Sequence, residues 1–84
     1  MNQETVTVIF SAPKRKLAAD IEVPLNMTAN DLVVALNEGY HLGIDVSNIK
    51  NCYFKAEKPI ALLRGYKTLK EFGIRDGTTI FFSE

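Results

Sequence analysis

Eighty-four residues, 46% of them hydrophobic, are the material for one compact domain spanning 1–84, and ten basic residues against ten acidic ones leave no net charge to drive general nucleic-acid binding. A single cysteine excludes an internal disulfide, and no apolar run approaches the roughly 20 residues that span a bilayer. The start "MNQETVTVIF" lacks the cationic head, long apolar stretch and cleavage site of a secretory signal, so the expected address is the cytoplasm, without membrane insertion.

Thr5 to Ser11, "TVTVIFS", sets Val6, Val8 and Phe10 against Thr5, Thr7 and Ile9, the period-two pattern of a strand with one buried face. "APKRK" then reverses the chain, and Leu17 to Pro24 alternates again through Ala19, Ile21 and Val23, which predicts a hairpin. The cations Lys14 to Lys16 at its tip read as solvated. Thr28 is placed to cap a helix, with Asp31 at the third helical position, where an acid complements the free N–H groups and the dipole. Ala29, Leu32, Val33, Leu36 and Tyr40 recur at three- and four-residue spacing and give that helix one packing stripe, ending near Gly39 to Gly43.

"NCYFKAE" and "IALLRG" predict a second hairpin around "KP", with Pro59 suited to a turn. "TLKEFGI" supplies a helical turn, "RDG" the reversal, and Thr78 to Phe82 a last strand. The charge is unevenly spread: Leu17 to Ile49 carries five acids and no Lys or Arg, whereas Lys50 to Glu84 carries seven basic residues and four acids.

Nothing in this chain points to catalysis. No phosphate-binding, dinucleotide or nucleophile-elbow motif occurs, and one His gives little basis for a nucleophile–base pair. Cys52 and His41 are too few to hold zinc or an iron–sulfur cluster, so no metal and no cofactor is expected. Cys52 reads as a core or half-buried strand residue, and His41 as a surface residue near the helix end. "NMT" at Asn26 to Thr28 fits a glycosylation sequon, but Thr28 is better explained as the helix cap.

The order strand, strand, helix, strand, strand, short turn, strand resembles the β-grasp of ubiquitin. The likeness is closest over Thr68 to Phe82 and over "DIEVPLNMTANDLVVAL" from Asp20 to Leu36. Among freestanding ubiquitin-like chains of this size, the sequence most resembles the YukD/EsaB family, cytosolic components encoded with the type VII (WXG100, Ess-type) secretion machinery of Gram-positive bacteria. The resemblance implies an α+β fold, a mixed sheet of about five strands packed on one main helix, with the last strand between the first and third. It also implies a non-conjugated accessory or regulator that binds a protein, with secretion-system components as partners, working as a monomer or weak homodimer.

Ubiquitin-like modifiers and sulfur carriers act through a flexible tail ending in Gly-Gly, whereas this sequence ends "FFSE", with Glu84 where a Gly would be required. Work through the folded surface is therefore expected rather than conjugation. Under the implied strand order, Ile9, Tyr53 and Phe81 point away from the helix and adjoin near Lys55, forming a protein-binding patch; the plainer reading is that these side chains only cover one another. The alternative function is an RNA-binding module using Lys55, Lys58, Arg64, Lys67, Lys70 and Arg75, a scattered set, so nucleic acid is not the favoured partner.

Overall fold

The computed structural model describes residues 4–83. Strands β1 (Thr5–Ala12) and β2 (Leu17–Pro24) pair antiparallel over eight consecutive positions, from Thr5 opposite Pro24 to Ala12 opposite Leu17. Alternation decides which side each residue takes: Val8, Phe10 and Ala12 are buried, while Thr5, Thr7 and Ile9 are exposed. Helix α1 (Ala29–Tyr40) begins where Thr28 Oγ1 accepts the Asp31 N–H at 3.1 Å and ends on His41, whose φ of 53° turns the chain out of the helix. Its buried stripe of Ala29, Leu32, Val33 and Leu36 joins Val8, Phe10, Phe54, Leu63, Leu69 and Ile80 in the core.

Strands β3 (Phe54–Glu57) and β4 (Ala61–Leu63) form the second hairpin, with Pro59 in its turn. Strand β5 (Thr79–Phe81) lies between β1, to which it is parallel, and β3, to which it is antiparallel, giving the sheet order β2-β1-β5-β3-β4. This is a ubiquitin-like β-grasp, with five mixed strands and one main helix.

The reversal before β5 is tied directly to β1. The Thr7 N–H donates to Asp76 Oδ1 at 2.8 Å, the Gly77 N–H to the Thr7 carbonyl at 2.9 Å, and the Ile9 N–H to the Thr78 carbonyl at 2.9 Å. Gly77 occupies φ +87°, a left-handed conformation that L side chains rarely adopt. Thr78 is fully buried because its hydroxyl has two partners: it donates to the Lys58 carbonyl at 2.7 Å and accepts the Arg75 N–H at 3.1 Å.

Three local expectations need correction. The strands are shorter than the sequence implies: "NCYFKAE" becomes a strand only at Phe54, "IALLRG" keeps just Ala61–Leu63, and the last strand is Thr79–Phe81. Phe82 nevertheless gives its N–H to the Ser11 carbonyl at 2.9 Å and packs edge-on against Phe54 at 6.1 Å. A 3-10 segment, Val46–Asn51, fills the long connection after α1; at its start the Asp45 carboxylate accepts the Ser47 hydroxyl and the Ser47 N–H, and these bonds, the hydroxyl's first, hold the Asp45 pKa below its usual range. Cys52 is buried at the end of that segment rather than within a strand.

The tip of the first hairpin is the third. Arg15 is not merely solvated: it donates to the Leu42 carbonyl at 2.9 Å and the His41 carbonyl at 3.4 Å, with its guanidinium carbon 5.7 Å from the centre of the Phe82 ring. Those carbonyls follow the last turn of α1, where a cation is electrostatically favoured. Glu84, on which the expectation about the terminus rests, lies outside the described residues.

Candidate functional site

The face of the sheet turned away from α1 is set by register. One outward row runs across all five strands as Ala18, Ser11, Phe81, Lys55 and Leu62; the next runs Asp20, Ile9, Thr79 and Glu57. Phe81 therefore stands directly between Ser11 and Lys55, and Lys55 directly beside Leu62. The arrangement is apolar around Phe81 and carboxylate-bearing around Ile9.

Tyr53, Lys55 and Phe81 come together as the sequence leads one to expect, lining a shallow pocket of about 180 Å³ with Phe82 and Ser83. Ile9 does not join them. It pairs with Thr79, one row away from Phe81, because the parallel β1–β5 register places Ser11 and not Ile9 beside that ring. The expected single cluster is thus a three-residue cluster with Ile9 at its margin, 37% exposed.

A larger groove of about 410 Å³ opens on the other side of Phe81, where Ile60, Leu62 and Pro13 join Lys55 and Phe81. Ile60 is 90% exposed, Leu62 50% and Tyr53 47%, whereas Phe81 is half-buried between the two hollows. Ile60, Leu62 and Pro13 are not named by the sequence reading. The signal for Leu62 lies in "ALL": once Leu63 is committed to the core, period-two alternation turns Leu62 outward beside Lys55. Ile60 sits in the turn, where no periodicity applies.

The lining combines large apolar side chains with one amine, Lys55, and one carboxylate, Glu57. Among the described residues no group of three His, Cys, Asp or Glu is placed to hold a metal. The shifted carboxylates belong elsewhere: besides Asp45, Glu71 is held below its usual pKa by the Thr68 N–H and hydroxyl, in a reciprocal cap where Glu71 N–H donates back to Thr68 Oγ1.

The six basic residues do not share one element. Lys55 is on β3, Lys58 in the β3–β4 turn, Arg64 just past β4, and Arg75 before the last reversal. Lys67 lies 4.9 Å from the Phe72 ring centre, and Lys70 pairs with Glu4 at 2.9 Å. No helix of the described residues is long and apolar enough to cross a membrane.

A family model described as the WXG100 protein secretion system protein YukD matches residues 5–81. No curated protein sequence matches the chain. Among solved structures, the chain is similar to the C-terminal ubiquitin-like domain of mouse tubulin-specific chaperone e, at 14% identity and a TM-score of 0.76, covering 100% of this chain and 92% of that one. It is similar also to a ubiquitin-like domain of tubulin-binding cofactor B, at 22% identity and 0.73 over 95% and 89% of the two chains. The ubiquitin-like domain of yeast Ddi1 superposes at 20% identity and 0.62 over 95% and 91%. At these identities the likeness carries the fold.

Proposed function

The chain belongs to the YukD family of the WXG100 protein secretion system, and from that premise we propose that it serves the system as a non-conjugated cytosolic accessory or regulator, binding a protein component through the open face of its sheet. Phe81 is the central anchor, Leu62 and Tyr53 flank it, Lys55 supplies a charge at the middle of the patch, and Ile9 contributes at the rim. The observation that carries this reading is the cross-strand row Phe81, Lys55, Leu62, continued by Ile60 and Tyr53 around two hollows. Large apolar groups left exposed together on a small protein mark a contact surface, and aromatic anchors at the centre of such a surface carry a disproportionate share of its affinity.

Cytosolic domains of the secretion system's membrane proteins and its coupling ATPase are the partners to titrate, one at a time, by calorimetry. The double variant Phe81→Ser, Leu62→Ser is expected to keep its fold and lose at least about tenfold in affinity for whichever component binds, as removal of an interface anchor does. Ile9→Ala is expected to lose much less. A folded double variant with undiminished affinity overturns the assignment of this face.

A further inference from the structure

The Phe81-centred reading assigns no role to the acids of residues 17–49, and the fold gathers two of the five on one strand. All five acids, Asp20, Glu22, Asp31, Glu38 and Asp45, are exposed, and the first two stand on β2, an outer strand of the sheet. Strand β2 runs eight residues in unbroken register with β1, so the backbone groups on its other side form a long uninterrupted edge. Among the described residues no strand or loop pairs with the edge side of Leu17–Val23.

Protein edges are ordinarily blunted by shortness, charged side chains (lysine above all), proline or a bulge. The opposite edge fits that pattern, since β4 has three residues and follows the Pro59 turn. Strand β2 is long, has no lysine and no bulge, and carries a proline only at its very end, Pro24. Its only charges are Asp20 and Glu22 on the open-face side, while Leu17, Ala19 and Ile21 are half-buried on the helix side. An added strand that continued the pleat would set alternate side chains beside the two carboxylates and the others beside Leu17, Ala19 and Ile21.

We infer that the β2 edge is a second docking site, separate from the Phe81 face, and that it takes an extended segment of a partner protein in which Lys or Arg alternates with apolar residues. Charge complementarity selects this occupant. A second copy of β2 would confront Asp20 and Glu22 with carboxylates of its own kind, and β4 of a second copy is too short to fill eight positions. Backbone pairing would supply the affinity, and the alternating cations the specificity.

The test uses the full-length 15N-labelled protein and two capped peptides, Lys-Val-Arg-Ile-Lys-Val-Arg-Thr and the same peptide with every cation replaced by Glu. The cationic peptide is expected to shift the amide signals of Leu17 to Val23, with affinity falling as salt rises; the acidic peptide is expected to leave them in place. Asp20→Lys, Glu22→Lys changes two exposed side chains and is expected to weaken the cationic peptide at least about tenfold and to admit the acidic one. An N-methylated cationic peptide, unable to donate along the edge, is expected to fail. The inference is overturned if both peptides bind alike, if neither moves the β2 signals, if the shifts fall on Phe81 and Leu62, or if β2 pairs two copies of the chain without peptide. Loss of the Phe81 face in the calorimetric experiment would leave this result standing, because the two readouts report different residues.

Discussion

Strands β5 and β2 make an instructive pair. β5 has three residues and is paired on both sides, with Ile80 completely buried and Thr78 completely buried just ahead of it. β2 has eight residues, is paired on one side, and buries only Val23. Length in sequence is therefore a poor guide to mechanical importance: position in the sheet decides it, because a central strand removes its side chains from water and satisfies its backbone on two sides, whereas an edge strand leaves half of each task undone. β5 carries Phe81 at the middle of the sheet, whereas β2 keeps one side unpaired.

Breaking the central strand should have the largest effect. Ile80→Ala leaves a hole against Phe10 and Ala56, the residues registered on either side, and is expected to cost about 2–5 kcal/mol in chemical denaturation. Thr78→Val keeps the shape but strips the Lys58 carbonyl and the Arg75 N–H of their hydroxyl partner, with an expected cost of about 1–3 kcal/mol in the same measurement. If either loss were no greater than that of an exposed substitution on β2, the contrast between the strands would collapse.

The smallest effect is expected beyond the end of β2, where Thr28 bridges Thr68 and the Thr68–Glu71 cap holds the facing turn. Glu71 has its pKa lowered in the folded protein, by the Thr68 N–H first, then the Thr68 hydroxyl, with Lys67 adding a little. A carboxylate of this kind contributes stability that is present above its unfolded value, roughly 4.3, and is lost as pH falls through the lower folded one. The Thr68 and Glu71 amide signals should move together in that acid window, and Glu71→Gln should abolish the movement. Signals that shift only above that window would sharpen the comparison differently, by assigning the turn to another group.

The buried side of the sheet was legible in the sequence because burial and alternation are the same fact: Val8, Phe10 and Ile80 declare themselves by spacing alone, and Thr28 declares the helix start by its chemistry. The open face was legible only in part. Whether Ile9 or Ser11 lies beside Phe81 depends on a parallel register between segments some seventy residues apart, and the local pattern carries no information about that offset. Leu62 followed from Leu63 once the hairpin was anchored, but Ile60 in its turn and the Val46–Asn51 segment have no period to read. Arg15 looked like one solvated cation of three, since nothing near "PKRK" foretells that the ends of α1 and β5 arrive within its reach.

The open face around Phe81 is the surface proposed to meet the partner of this YukD-family chain. Hydrogen exchange of the full-length protein, alone and saturated with the secretion-system component that binds it, reads that contact directly. The account predicts added protection at residues 53–55, 60–62 and 79–83, at the strands and turn that carry Tyr53, Lys55, Ile60, Leu62 and Phe81. Protection confined to the exposed side of α1, with those three segments exchanging as in the free protein, would contradict it.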